Sequence, residues 1–130
     1  MEELVKQLMG KQVAEPSENY LKRVLVKETG RMFLVKTDEI SHFDADGNYI
    51  TLHVGTKMHT IYESLSSLEA RLDPADFIRV SRSFIINVNY ISELESYFNG
   101  EYIVHLSTGE KVKCTRGFRD NMREFLGKMS

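Results

Sequence analysis

Residues 77–88 read FIRVSRSFIINV, a run built almost wholly of strand-forming residues. Successive side chains leave a strand on opposite sides, so Ile78, Val80, Phe84, Ile86 and Val88 make one apolar face. Arg82 falls on that face too. A guanidinium stays charged and is costly to bury without an anion. Two readings follow from the residues alone. Either a buried carboxylate such as Glu63 or Glu69 pairs with Arg82, or the chain bends there and presents the side chain to something outside.

The same period of two continues on both sides of this run. LKRVLVKE and FLVK flank Gly30, ISHF and YITLHV flank DADGN, and KMHTIYE follows Gly55. SYF and EYIVHL flank Asn99-Gly100, and EKVKCT follows Thr108-Gly109. Asp-Gly and Asn-Gly favour tight turns, because both residue types tolerate the backbone angles that a two-residue hairpin needs. The pattern predicts a mainly β fold, a meander of antiparallel hairpins with two short helices. One helix is expected mid-chain in SLSSLEARLDP, where Leu65, Leu68 and Leu72 share a face and Ser66 and Glu69 have capping-box spacing. The other is expected in RGFRDNMREFLGKM, where Phe118, Met122, Phe125 and Leu126 recur at helical spacing and Gly127 suits a C-terminal stop.

A chain of 130 residues fits one domain around one core. Residues 1–19 contain the polar run EPSEN with one of two prolines, and read as a linker or N-terminal extension ahead of a domain over residues 20–130. No apolar run approaches the roughly 20 residues that cross a bilayer, and the N-terminus lacks the pattern of a signal peptide. A cytoplasmic protein without membrane contact is expected. Cys114 is the only cysteine, so an internal disulfide has no second thiol.

The net charge of −2 hides a local asymmetry. KVKCTRGFRDNMR, residues 111–123, sets Lys111, Lys113, Arg116, Arg119 and Arg123 against Asp120 alone, while acids gather in TDEISHFDAD. Such a distribution allows a basic surface on an acidic protein. Arg116, Arg119 and Arg123 follow one another at helical spacing, and a helix N-terminus is a natural seat for phosphate. Enzyme and metal motifs are missing. DADGN has its glycine too early for a calcium loop, and Gly55 stands where a bidentate Glu would be needed. His42, His53, His59 and His105 are scattered over different predicted strands with no cysteine cluster, so neither a metal site nor a cofactor is expected. Phosphate loops, GxSxG and HExxH are absent too, and no enzyme is expected.

Three blocks, ISHFDADGNYITLH, SLSSLEARLDPADFIRVSRSFIINVNYI and GEKVKCTRGFRDNMREFL, resemble in order and spacing the LytTR DNA-binding domain, the output module of many bacterial response regulators in two-component systems. The resemblance covers roughly residues 20–126, and its most specific part is F-x-R-V-x-R-S-x-x-x-N. It departs from the family at Ser81, where histidine is usual. The resemblance implies an elongated arrangement of antiparallel sheets whose loops, not a recognition helix, enter successive major grooves of double-stranded DNA. It also implies transcription regulation, repeated binding sites, a homodimer on DNA, and an upstream receiver domain if the chain is a fragment. The contacting positions carried over are Asn48 with Tyr49, Arg82, and Arg116.

On this reading Arg82 answers the opening alternatives by leaving the apolar face at a bend. Its planar fork matches the O6 and N7 acceptors of guanine, or a phosphate. Asn48 matches adenine N6 and N7 but equally suits its turn. Arg79, opposite in parity, is expected in a surface salt bridge or on a phosphate. Lys113, Arg119 and Arg123 are expected on phosphates, adding affinity without reading sequence. Ser83 and Asn87 are expected to close backbone hydrogen bonds near the bend. The rival is a β-rich module that binds an acidic protein along an edge strand. RNA stacking on Tyr49, Tyr97 and Phe98 ranks below both, lacking an RNP-type string.

Overall fold

In the computed structural model the described residues run from 19 to 129, so the expected linker lies, except for Asn19, outside them. The period-two stretches form antiparallel strands in three sheets. β1 (Arg23–Glu28) and β2 (Arg31–Lys36) make a hairpin about Gly30, whose φ of 78° is left-handed. β3 (His42–Asp46), β4 (Tyr49–Val54) and β5 (Lys57–Tyr62) follow, then α1 (Leu65–Arg71), β6 (Phe77–Arg79) and β7 (Phe84–Asn87). These strands form a five-stranded sheet in the order β5-β4-β3-β7-β6. β8 (Ile91–Ser96), β9 (Tyr102–Leu106) and β10 (Lys111–Cys114) form a three-stranded sheet with β9 in the middle. α2 (Arg119–Met129) closes the chain.

The order of the large sheet departs from a simple meander. α1 carries the chain from the β5 edge to the opposite edge, and β7 then pairs with β3. The cause lies in residues 84–87. Ile85 faces a core formed with Val24, Phe43, Ile50, Leu52 and Leu68, while the adjacent Ile86 faces a second core with Val104, Leu106, Val112 and Met122. A strand apolar on both sides is most stable with a layer on each face, and the edge strand β6 divides its side chains the same way, Phe77 into the first core and Ile78 into the second. One core was expected; the five-stranded sheet separates two. The first is closed by β1, β2 and α1, the second by the three-stranded sheet and α2.

The helices form where the periodicity puts them, with different ends. Leu65, Leu68 and Leu72 are buried together. Ser64, not Ser66, caps α1, accepting from the Ser67 amide at 3.1 Å. Gly127 does not stop α2, which continues to Met129; its φ is not left-handed, so it lacks the conformation that ends a helix. The turn at Asn99-Gly100 is also longer than expected. Ser96 pairs with Tyr102, and the residues between loop through a short 3-10 segment, Phe98–Gly100, with Asn99 at φ 58° and Gly100 at φ 79°.

Candidate nucleic-acid interface

β6 and β7 are the two arms of a tight hairpin, with Ile78 opposite Ile86 and Arg79 opposite Ile85. Residues 77–88 are therefore one bent strand with Arg82 near the tip. Val80 donates its amide to the Phe84 carbonyl at 3.0 Å, and the Ser83 amide donates to Ser81 Oγ at 3.2 Å. Ser81 is buried and shapes the turn. Arg82 is exposed. The carboxylates that could have paired with it are engaged elsewhere: Glu63 with Arg71 and Ser67, Glu69 with Arg79. Among the described residues the Arg82 guanidinium has no ion pair.

Arg79 behaves in the opposite way. Nε donates to the Ser81 carbonyl at 3.0 Å, Nη2 to the Arg82 carbonyl at 2.7 Å, and Nη1 to Ser66 Oγ at 3.0 Å and Glu69 Oε1 at 3.1 Å. Its guanidinium lies 5.5 Å from the Phe118 ring centroid. The side chain is only 13 % exposed, so the expected salt bridge exists but is largely covered. Four of its five N–H donors have protein acceptors, two of them on the turn that carries Arg82. Arg79 holds that turn in shape.

Register places the three candidate contact regions at one end of the large sheet. Asp44 pairs with Phe84, so the start of β7, next to the Arg82 turn, lies beside the end of β3. Beyond that end, Asp46 pairs with Tyr49, leaving Gly47 and Asn48 as the hairpin tip. The Ala45 amide donates to the Ser83 carbonyl at 2.8 Å, and the Glu63 amide to the Asn48 carbonyl at 2.9 Å. From the other side, the Thr115 amide donates to the Val80 carbonyl at 2.9 Å, and Asn121 Nδ2 to the Arg79 carbonyl at 3.0 Å. Thr115 precedes Arg116, which is exposed and opens a 3-10 turn, Arg116–Phe118, ahead of α2. A shallow groove lined by Ser81, Arg82, Ser83, Phe84, Lys113 and Thr115 joins the two basic segments.

The remaining cations are less uniform than their spacing suggests. Lys113 is exposed, 3.5 Å from Glu101 and 5.0 Å from the Tyr97 ring centroid. Arg123 is exposed and 3.9 Å from Asp120. Arg119 is half-buried and packs against Gly100, where an added Cβ would meet its Nη1 at 2.9 Å. Of the three arginines that appeared as one cluster, Arg119 packs at Gly100, Arg123 lies beside Asp120, and Arg116 precedes α2 on the 3-10 turn. Asn87 fulfils its structural expectation, with Nδ2 donating to the Ile40 carbonyl and Oδ1 accepting from the Asn89 amide, each at 3.0 Å. Ser83 does so through its backbone. The aromatics weighed for RNA form two separate pairs, Tyr49 with Tyr62 and Tyr97 with Phe98, on different sheets.

Sequence reading did not find Thr115, Asn121 or Ser81 as ties around the site. Only parity and capping chemistry could have hinted at them, and their partners are 35 to 42 residues away or lie across a turn. Nor did it find that β3 and β4 bring His42 opposite His53.

This arrangement of sheets and turns has known counterparts. Residues 30–127 match the family model described as LytTr DNA-binding domain. The transcriptional regulatory protein LytR of Staphylococcus aureus (strain MW2) is 31% identical over 111 residues, which cover 85% of this chain and 45% of LytR. The sensory transduction protein LytT of Bacillus subtilis (strain 168) is 28% identical over 93 residues, 72% of this chain and 39% of LytT. A solved LytTr DNA-binding domain from Bacillus cereus superposes with a TM-score of 0.75 at 25% identity, covering 82% of this chain and 98% of that one. The chain spans less than half the length of these two curated relatives. With the family model matched from the first hairpin to α2, and the same fold in a solved member, the chain belongs to the LytTR DNA-binding domain family.

Proposed function

We propose that this chain is a non-enzymatic, sequence-specific binder of double-stranded DNA that regulates transcription in the bacterial cytoplasm. The observation that carries the reading is the contrast at the bent strand: Arg82 stands exposed and without an ion pair, on a turn whose backbone Arg79 clamps. A cation carried on a fixed turn offers a bidentate fork to guanine without the backbone having to reorder. Asn48 with Tyr49 and Arg116 supply the flanking contacts, on turns tied to the same end of the sheet. Turns carried this way suit insertion into successive major grooves. Lys113 and Arg123, both exposed, reach phosphates by releasing Glu101 and Asp120, which costs little because ion pairs at the surface contribute only about 0–1 kcal/mol. Arg119 is better placed to support the loop at Gly100 than to meet DNA.

The domain is taken as residues 20–130, with residues 1–19 as an extension. Repeated sites, a homodimer on DNA and a receiver domain in a longer protein complete the reading. The test is DNA binding by fluorescence anisotropy over a salt series, on promoter fragments from the source genome. About four phosphate contacts should give a log–log slope of roughly −3 to −4. Binding that is absent, or flat in salt, overturns the proposal.

A further inference from the structure

The histidines that the sequence scatters include two that the fold joins. On β3 and β4, His42 stands opposite His53, with the rings stacked 3.9 Å apart and 10° from parallel. Asp44, two residues along β3 on the same face, meets His53 Nε2 with Oδ2 at 2.7 Å. A ligand atom from each of the three lies within 4.8 Å of the others. We propose that His42, Asp44 and His53 form a site for a divalent transition-metal ion of the zinc type.

Hydrogen bonding prepares His42 for this role. The Ser41 hydroxyl donates to the His53 carbonyl at 3.2 Å. Its single proton is thereby engaged, so at 3.0 Å from His42 Nδ1 it accepts from that ring nitrogen. Nδ1 then carries the proton and Nε2 keeps its lone pair. Among the described residues Nε2 has no hydrogen-bond partner, although His42 is 3 % exposed. A buried acceptor without a partner is costly, and a metal ion would satisfy it. This is the arrangement of metal-binding imidazoles, in which a second group holds one ring nitrogen and the metal takes the other.

The His53–Asp44 contact completes the set. The proton held between Nε2 and Oδ2 occupies the space an ion would take; on binding the ring must carry its proton on Nδ1, so that Nε2 and the carboxylate can both ligate. Zinc bonds of about 2.0–2.2 Å place tetrahedral ligands roughly 3.3 Å apart, so the two rings must turn out of their parallel stack for their lone pairs to converge on one ion. Three protein ligands leave one position for water. His59 with Glu28 and His105 with Glu95 are also imidazole–carboxylate pairs. Among the described residues neither of these pairs belongs to a group of three ligands.

The test titrates the metal-stripped 130-residue chain with Co²⁺ and then displaces it with Zn²⁺, with no DNA present. One equivalent of Co²⁺ should give the visible bands of a four-coordinate nitrogen–oxygen site, with a rise in Tm on Zn²⁺ addition. Asp44→Asn and His53→Gln should each weaken binding at least tenfold, with circular dichroism confirming the fold. Should His53→Gln fail to fold, Asp44→Asn decides. His59→Gln and His105→Gln should leave binding unchanged. Absent bands, binding indifferent to Asp44→Asn, or binding lost with His59 or His105 would each overturn the site.

Discussion

Just beneath the contact end of the large sheet, polar side chains are engaged by other groups of the protein; on the turns above them, they are not. Below are Arg79 with four acceptors, Ser81 bonded within its turn, and Asn121 reaching the Arg79 carbonyl. Above are Asn48, Arg82 and Arg116, all exposed. Arg79 and Arg82 share a residue type and sit three positions apart, so identity does not separate their roles. What separates them is where their donors go. A guanidinium whose donors meet protein oxygens builds shape, and one whose donors meet water is available to a ligand.

The comparison is tested first by pH, which should act through the buried His42 and not through the exposed contact residues. His42 has its pKa lowered from 6.5 to about 4 in the folded chain by burial, then by His53. Between those values the unfolded state binds the extra proton, so stability present above pH 6.5 is lost as pH falls toward 4, by up to about 3 kcal/mol. Urea midpoints of the metal-free chain in chelator should drop accordingly between pH 7 and 5, and Arg82→Ala should follow the same profile.

Arg79→Ala comes next. It leaves two turn carbonyls and Glu69 without their donor and should cost about 2 kcal/mol of stability, read from urea unfolding. DNA affinity should fall as well, because the Arg82 turn loses its clamp. Arg82→Ala reverses the pattern, losing about 1–2 kcal/mol of affinity on the preferred site with unfolding unchanged within about 0.5 kcal/mol. An unfolding midpoint that moves with Arg82 would erase the distinction between the two layers.

Asn121→Ala should destabilise by about 1 kcal/mol, one uncharged hydrogen bond, with a smaller loss of affinity than Arg82→Ala. The smallest effect belongs to Lys113→Gln. Its contact with the half-buried Glu101 is long, at 3.5 Å, and Lys113 itself is exposed, so the pair contributes little to stability. A phosphate contact there should appear as a salt slope shallower by about 1, at equal cost on every DNA sequence.

How far the site was legible depended on whether its cause was local. The bend at Arg82 could be anticipated, because a guanidinium on an apolar face needs either an anion or an exit. Choosing between those required the positions of Glu63 and Glu69, which the fold gives to Arg71 and Arg79. The cap of α1 was missed by two residues, since Ser64 and Ser66 both fit the chemistry and only the helix start selects one. Gly127 suggested a stop that the packed stripe of Met122, Phe125 and Leu126 overrides.

By itself the sequence determined the strands, most of their turns and the two helices, because side-chain alternation, Gly and Asn turn preferences and helical spacing act between near neighbours. It also determined that Arg82 could not rest in an apolar face unaided. The tertiary structure alone decided that β7 lies beside β3, that Arg79 turns inward while Arg82 turns out, and that His42, Asp44 and His53 meet. Those outcomes depend on register between distant strands, where burial of two apolar faces outweighs any preference that neighbouring residues can express.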